Sequence, residues 1–597
     1  MEYKRVGKLI LLGVVLFSWT ALSNDNILVN QNGYFTERSK AAVVVNSDAD
    51  SFEVRDISGN TAVFTGELKD GGYYSPSEQN TKIADFSELR DTGEYCIEVE
   101  GLESSHPFRI GSDVYSDLSK GLLKGFYYLR ASMPLEQEYA GKWARAAGHP
   151  DTALEYYGSS GTKSSPGGWY DAGDYGKYIV NGGISVSTMM GIYELLGDKI
   201  FSDNTINIPE SGNNKSDLLD EIKYEMDWFL TMQEDDGGVA HKLGPDEWPG
   251  HIMPADDDTK RFISPKSTSA SLNFAASCAM AGRIFSSYDP DFAQECINSA
   301  EQAWAWAEEN PSVEAPDGPE GSGGYGDSDF SDEFFWAGAE LYVTTGLEKY
   351  LDEVKGRIGS TPMQVSAGWP DVSNLGYFSL SVAEGIDQEI KDRAVDSVTS
   401  KADEIVSKVK GNAILSPMGE DDFFWGSSGN AGNYGVTLAY AHFIEKNEEY
   451  LNGVVNCADY ISGRNPTGYS FITGFGSKTP LHIHHRPSGA DGIEEPVPGF
   501  VAGGPNPGQQ DAVTSEGEVR FEYPSDLPAL SYADVEESYA SNEIAINWGA
   551  PMLFIAAYLQ VKNEDVGVSD KMNTGYGLRK ERFGVYPQKR LVQFSIP

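Results

Sequence analysis

The period of the hydrophobic pattern changes near Val114, and a chain that changes period must hold two kinds of structure. Before that point AAVVVN, SFEVRD, TAVFTGEL, GEYCIEVE and HPFRIG are short, β-rich runs separated by Gly, Asp, Asn and Ser. Tyr95, Ile97 and Val99 alternate with Cys96, Glu98 and Glu100, the period of a strand with two unlike faces. Several short strands at this spacing predict a small all-β sandwich. After Val114 the spacing is helical, first in LSKGLLKGFYYLRAS. In DLLDEIKYEMDWFLTMQ, Leu219, Ile222, Met226, Phe229 and Leu230 fall on one face, and Asp217 is placed to cap the helix. Further helical runs begin at Ser271, Ser299, Phe334, Val436 and Ile546, joined by long irregular loops of Gly, Pro and Asp. Strand and helix never alternate regularly. The second part is therefore expected to be one large all-α domain with functional loops at one end.

A chain of 597 residues is long enough for more than one domain. Hydrophobic residues at 40% supply a core and argue against disorder. The 90 acidic and 45 basic residues leave a formal charge of −45, which repels the phosphates of nucleic acid and disfavours anionic polysaccharides. A neutral glycan stays compatible, and the simplest meaning of the charge is solubility. Lys4, Arg5 and Lys8, an apolar run from Leu9 to Phe17, and Ala21-Leu22-Ser23 form a secretory-signal pattern. The run is too short to span a bilayer, and no later segment reaches ~18 uninterrupted apolar residues. The expectation is a secreted protein, extracellular or periplasmic, with no membrane contact once the signal is removed. The boundaries read as a signal at 1–23, a β-sandwich at 24–112, a helical domain at 113–565 and a basic tail at 566–597. That tail lacks helical periodicity and is read as disordered. Cys96, Cys278, Cys296 and Cys457 fit no CxxC metal pattern, and for Cys278 with Cys296 a disulfide and buried thiols both stay open.

One stretch carries chemistry. GGWYDAGDYGKY, from Gly167 to Tyr178, sets Asp171 and Asp174 three residues apart among glycines and aromatic rings. Glycine permits tight turns, aromatic faces suit the apolar face of a sugar, and paired acids do proton chemistry without a cofactor. Hydrolysis of a glycosidic bond needs that combination and a further carboxyl group, for which Glu543 is the candidate. Taken alone, DAGD equally suits a surface turn, and Glu543 suits the first turn of a helix. LHIHHRPS brings His482, His484, His485 and Arg486 together; three close histidines suggest a metal, but a fourth ligand is lacking. Trp336, Trp369, Tyr469 and Trp548 are candidates for stacking on sugar, although single aromatic residues more often fill cores.

In chain order, ILVNQNGYF, YAGKWARAAGHPDT, GGWYDAGDYGKYIVNGG, GGVAHKL, SDEFFWAGAELY, GRNPTGYSFITGFG, LHIHHRPS and NEIAIN resemble glycoside hydrolase family 9, the inverting cellulase family. The resemblance covers roughly residues 26 to 562, and its first motif is similar to the start of the immunoglobulin-like module that precedes many catalytic domains of the family. It implies a small all-β immunoglobulin-like sandwich followed by a large all-α (α/α)6 barrel. It implies an endo-acting, inverting hydrolase of β-1,4-glucosidic bonds in cellulose or related β-glucans, working as a monomer without a required cofactor. An exo-acting cellobiohydrolase, β-glucosidase or glucosaminidase would keep the acids and block one end of the cleft, with Pro311–Ser328 and Gly489–Ala529 as the loops able to do so. A non-catalytic glycan-binding relative would be expected to lack one of the three carboxyl groups, and all are present.

By the same resemblance Asp174 is the base, Asp171 its companion, and Glu543 the general acid, which must hold its proton through a raised pKa. His484 and Arg486 match residues that bind substrate hydroxyls, and Trp548 stands where many members carry Tyr near the sugar; Trp548 ranks first and Trp369 second for stacking, while Trp336 equally suits burial behind the wall. Asp332 and Glu333 match a calcium-binding pair of some members. Many members with the module hold zinc through two cysteines and two histidines; here Ala131 and Gly148 stand at the cysteine positions and only His149 remains, so no such zinc is expected. Gly549 and Asn273 also depart from common family residues without removing a catalytic group.

Overall fold

The computed structural model describes residues 26–326 and 328–569, so the expected signal and the basic tail beyond 569 lie outside the described residues. Eight strands come first: β1 (Ile27–Leu28), β2 (Tyr34–Phe35), β3 (Ala41–Val45), β4 (Ser51–Asp56), β5 (Thr61–Tyr74), β6 (Gln79–Asp85), β7 (Gly93–Val99) and β8 (Phe108–Gly111). They pair in the order β1-β3-β6-β5-β4-β7-β8-β2. The 14-residue β5 joins two halves: its first residues pair with β4 and its later ones with β6. Both halves contribute to one core, with Val44 and Ala84 from one side and Phe52, Val54, Ile97 and Ile110 from the other. Tyr95, Ile97 and Val99 point into it while Glu94 is exposed, as the alternation requires.

The opposite face of β3 turns toward the helices. Val43 and Val45, with Leu28, Phe35 and Tyr74, join the main helical core. Polar groups fix the docking. The Asn30 side-chain amide donates to Asp459 Oδ1 (2.6 Å) and to the Tyr115 hydroxyl (2.7 Å). Asp459 Oδ2 accepts from Arg464 Nη1 (2.8 Å), and Arg464 also donates to the Leu415 carbonyl (2.9 Å). Gln31 donates to the Gly468 carbonyl and accepts from the Ser477 and Lys478 amides. ILVNQNGYF thus meets GRNPTGYSFITGFG, and two motifs far apart in sequence form one interface. The four cysteines are free thiols, and Cys278, Cys296 and Cys457 are buried.

Among the described residues twelve α-helices have ten residues or more. They are α1 (Ser116–Leu129), α2 (Ile179–Leu196), α3 (Asp217–Met232), α4 (Thr268–Phe285), α5 (Pro290–Glu309), α6 (Ser331–Thr345), α7 (Glu348–Arg357), α8 (Ser373–Val382), α9 (Gln388–Lys410), α10 (Ser427–Glu445), α11 (Glu448–Ile461) and α12 (Ile546–Ser569). The even-numbered helices pack one on the next and close on themselves, α12 returning to α2. Each odd-numbered helix backs an even-numbered one: α3 lies on α2, α5 on α4, α7 on α6, α9 on α8, α11 on α10 and α1 on α12. The sequence follows this division. In α2 every residue but Tyr193 and Glu194 is buried, and Gly182, Gly183, Ser185 and Ser187 keep its surface low enough for close neighbours. A helix enclosed on all sides has no polar stripe. In α3 Leu219, Ile222, Met226 and Phe229 are buried while Asp227 faces solvent, the pattern of an outer helix. No helix among the described residues is long and apolar enough to cross a membrane.

Two expectations need correction here. Asp217 is not the cap of α3. Ser216 precedes the helix, and the Asp217 carboxylate accepts from the Asn204 and Ile206 amides, tying the preceding loop to the helix start. The helical part also contains a five-stranded sheet: β9 (Leu154–Tyr156), β10 (Thr162–Lys163), β11 (Lys177–Tyr178), β12 (Lys242–Pro245) and β13 (Arg261–Ile263), in the order β10-β9-β13-β12-β11. Strands this short carry no readable period.

Asn30→Ala should cost about 1.5–3 kcal/mol, the usual effect of removing a donor to a charged acceptor, because Asp459 and Arg464 stay buried. Denaturant unfolding measures it; a variant as stable as the parent would mean that the β-module merely rests on the helices.

Candidate active site

Asp171 and Asp174 lie in an irregular turn that ends where α2 begins, not within a helical turn. The turn is held at both ends. At its start the Trp169 amide donates to Glu225 Oε2 (2.6 Å) and its indole N–H to Glu221 Oε1 (2.8 Å). At its end Lys177 pairs with Asp151 (2.9 Å) and donates to the Gly167 carbonyl (2.7 Å). Arg261 pairs with the same Asp151 (2.9 Å) and donates to the Tyr175 carbonyl (2.9 Å). Buried charges are costly unless paired. Burial pushes the Asp151 carboxyl up, but Arg261 and Lys177 outweigh it and hold it below its ordinary range.

Three segments meet at this turn. The Ile546 amide donates to the Asp171 carbonyl (2.9 Å), and Ala172 pairs with Ala545. The Arg486 amide donates to the Gly173 carbonyl (3.0 Å), and the His484 amide to that of Asn542 (3.0 Å). Glu543 pairs with His484 as a neighbouring strand and sits in extended backbone between the short helix Tyr539–Asn542 and α12. It is therefore not a first-turn helix acid. A side chain at Gly173 could not be accommodated: a Cβ there would lie 2.0 Å from the His484 carbonyl oxygen and 3.2 Å from Glu543 Oε1. Only glycine allows the approach, and it brings the Glu543 carboxyl beside the turn that carries both aspartates. Asp534 accepts from the Leu481 and His482 amides and from Asn542 Nδ2, so it ties LHIHHRPS to the segment bearing Glu543.

The three carboxyl groups differ in their surroundings. Asp171 is 2% exposed; its Oδ1 accepts from Asn181 (2.6 Å) and its Oδ2 from the Tyr325 hydroxyl (2.6 Å). Burial pushes it up to about 7, against those two donors and with help from the charge of Asp174. Asp174 is also raised by burial, but Arg486, the Gly176 amide, Arg261 and Lys242 all pull it down. Glu543 is raised well above the ordinary range, first by burial and next by the charge of Asp174, with Asp171 adding to it. Negative charge thus raises Glu543, while positive charge gathers near Asp174.

The other expected residues divide. His484 Nδ1 donates to the Glu536 carbonyl (2.7 Å), which leaves Nε2 as an acceptor, and burial with Arg486 lowers its pKa to about 3. Arg486 is buried and donates to the Gly173 (3.0 Å) and Pro249 (2.9 Å) carbonyls. Its guanidinium both holds the turn and supplies charge to Asp174. Trp548 is partly exposed and rests on Gly426, Gly429 and Gly503; the Gly503 amide donates to the Glu543 carbonyl. Trp369 is partly exposed and meets Tyr325 edge-on at 5.2 Å. Trp336 does not reach the site. It is fully buried within α6, and its indole N–H donates to Glu340 one turn on. Tyr469 packs edge-on against the buried Tyr532, which in turn bonds Asn542.

Asp332 and Glu333 are both buried, and Asp332 Oδ2 is taken by the Val372 amide (2.7 Å). Among the described residues no group of three or more His, Cys, Asp or Glu side chains is arranged to hold a metal ion. Calcium prefers about 6–8 oxygen ligands, so this pair fits it poorly and no chemistry is assigned to it. At the zinc position of related sequences, Ala131 packs with Tyr170 and Tyr175. His149 is engaged on both nitrogens, by the Tyr170 hydroxyl and Asp257. That donor set does not suit zinc.

Tyr325 and Asn181 contact Asp171 directly, and the sequence reading missed both. The signal for Tyr325 was present in Gly323-Gly324-Tyr325-Gly326, an aromatic ring flanked by glycines as in the DAGD stretch. Exposed Trp248, whose ring lies 5.8 Å from the Arg486 guanidinium, was missed too.

Known proteins resemble this chain over most of its length. Residues 115–556 match the model of glycosyl hydrolase family 9, and residues 23–104 match the cellulase N-terminal ig-like domain. The chain is 40% identical over 570 residues to a xyloglucan-specific endo-β-1,4-glucanase, BoGH9A of Bacteroides ovatus, covering 91% of this chain and 95% of that one. It is 34% identical over 569 residues to endoglucanase D of Acetivibrio thermocellus, covering 92% and 84%. Among solved structures, a family 9 protein of Bacteroides ovatus superimposes with a TM-score of 0.83 at 38% identity, covering 90% of this chain and all of that one. The chain therefore belongs to glycosyl hydrolase family 9, with the cellulase N-terminal immunoglobulin-like domain ahead of its catalytic domain.

Proposed function

We propose that the protein is a secreted, inverting endo-β-1,4-glucanase that cleaves the backbone of a β-glucan, with a branched glucan of the xyloglucan class as the preferred substrate. The observation that carries this reading is the approach of the Glu543 carboxyl to Gly173, between Asp171 and Asp174. The endo action and the branched substrate are supported by the relatives above. Export is supported by the basic, apolar and small-residue pattern of the first 23 residues. The same reading divides the described chain into an immunoglobulin-like module to residue 112 and an (α/α)6 catalytic barrel from residue 113. The closed circuit of even-numbered helices supports the barrel.

In this mechanism protonated Glu543 gives its proton to the bridging oxygen as the bond to the sugar's anomeric carbon breaks. Asp174 takes a proton from water, whose oxygen bonds that carbon from the opposite face. Asp171 holds the same water in line. Each turnover leaves Glu543 ionised and Asp174 protonated, and exchange with solvent restores both. Neutral His484 accepts from a sugar hydroxyl, and Trp548 and Trp369 offer ring faces. The groups all come from one chain, and no metal or cofactor enters a step.

Asp174→Ala and Glu543→Gln should each reduce kcat on soluble xyloglucan by about 10²–10⁴, the ordinary worth of a positioned acid or base. If both variants release reducing sugar at the parental rate, the assignment is wrong. Tyr325→Phe removes a donor to ionised Asp171, so the acid limb of the kcat/KM profile should move to higher pH by up to about one unit; an unmoved limb would free Asp171 from any part in it.

Asp171 also makes a prediction about stability. Its folded pKa of about 7 lies above the ordinary carboxylate value, so the folded state keeps a proton that the unfolded chain has lost. Its contribution is full below about pH 4 and is lost as pH rises through about 7. Asp171→Asn should flatten the fall in stability over that window, as denaturant titrations at several pH values will show.

A further inference from the structure

Away from the candidate active site the chain carries a cleft with a volume of about 460 Å³, near the far edge of the small sheet. Tyr156 and Tyr157 line it at the end of β9, with Ser160 from the next turn, Glu234 from the loop after α3, and Lys266 ahead of α4. The mechanism uses none of them.

The cleft is built rather than incidental. The Tyr156 hydroxyl donates to both oxygens of Glu234 (3.0 and 3.1 Å). Lys163 donates to the same carboxylate (3.0 Å) and to the Gln233 carbonyl (2.6 Å). Tyr157 meets Phe262 edge-on at 5.6 Å. Its other neighbour is Gly318, where a Cβ would lie 2.4 Å from the ring. Both rings are therefore fixed before any ligand arrives, which lowers the entropy cost of binding. The volume falls within the usual range of small-molecule sites.

The lining chemistry names the ligand class. Two phenol rings give apolar faces. Carboxylate and hydroxyl oxygens accept from sugar hydroxyls, while the Lys266 ammonium is paired with Asp236. Glu234, Asp235 and Asp236 outnumber Lys266 along the lining, so an anionic glycan is repelled. No pair of free carboxyl groups flanks an open space there, so the cleft binds and does not cut.

Its position connects it to the reaction. In the sheet, β9 lies three strands from β11, which closes the catalytic turn. At the usual strand spacing of ~4.8 Å this is about 14 Å across the sheet alone, a span for a polymer that runs on beyond the rings seated at the active site. The loop between carries both ends of the connection. Gly318 packs on Tyr157, the Pro319 and Gly323 carbonyls accept from Lys242, and Tyr325 donates to Asp171.

We propose that the Tyr156–Tyr157 cleft is a secondary binding site for a neutral β-linked glucan chain, holding one stretch of polymer while another stretch is cut in the groove. The proposal rests on the glucan-hydrolase reading above. The test uses the full chain with Tyr157→Ala and, separately, Ser160→Glu on the exposed turn. In a Glu543→Gln background, migration through native gels containing soluble xyloglucan or hydroxyethylcellulose reports retention. In the active background, KM is measured on the same polymers and kcat/KM on cellotetraose.

Tyr157→Ala should lose polymer retention by about three- to tenfold, as removal of one stacking ring implies, and Ser160→Glu should lower retention as its longer side chain fills the cleft. KM on polymer should rise by a similar factor, and kcat/KM on cellotetraose should not change. Unaltered retention in both variants overturns the proposal. So does an equal loss on cellotetraose, which would place the effect in the catalytic groove. Should Tyr157→Ala unfold, Ser160→Glu decides alone. A parent protein without activity on any glucan would overturn the functional reading itself, whereas an active parent with unaltered variants overturns only this site.

Discussion

The absence of a side chain at Gly173 is the constraint on which the candidate site depends. Three segments from distant parts of the sequence touch there, and a single methyl group would meet the His484 carbonyl at 2.0 Å. Backbone hydrogen bonds then carry the contact outward, from Arg486 to Gly173 and from Ile546 to Asp171. Each segment is also tied from behind. Glu221, Glu225, Asp151 and Arg261 hold the aspartate turn, and Asp534 joins the histidine segment to the one bearing Glu543. A loop-borne site gains the precision of a rigid element in this way. The ring of helices beneath supplies the platform, since α2 and α12 both begin at the site and pack against each other.

The same closeness sorts the charges. Burial raises all three carboxyl groups, so burial alone would leave three weak acids without a division of labour. Arg486, Arg261 and Lys242 counter it at Asp174 by favouring its charge, and Arg486 does so at Glu543 as well. Once Asp174 is ionised it raises Glu543 further. Acid and base roles emerge when environments push neighbouring pKa values apart; in the proposed assignment Arg261 and Lys242 favour the charge on Asp174, while Asp174 and Asp171 oppose it on Glu543.

The parts of this arrangement differ in how plainly they are written in the sequence. The alternation around Tyr95 and the stripe of α3 are readable because each element has one wet face. The inner helices are visible only as apolar runs, because burial on every side erases the period, and their closure into a circuit has no local signal. Asp217 carries a cap residue's chemistry but spends it on the loop before the helix. Trp336 and Trp369 look alike in sequence; one packs into the wall and the other reaches the site through Tyr325, and only tertiary packing separates them. DAGD and Glu543 each suit commoner structural duties when taken singly. Their meaning came from the order of motifs, and their meeting at Gly173 from the fold.

Inversion is the part of the proposed mechanism most exposed to test, because an acid and a water-holding base on opposite sides of one bond would fix the hand of the product. Proton NMR of the first sugars released from xyloglucan, recorded before mutarotation, reads that hand directly. Inversion at a β-linkage gives the α-anomer as the initial product. A β-anomer would mean that one carboxylate attacks the sugar itself, and it would contradict the roles given to Asp174 and Glu543.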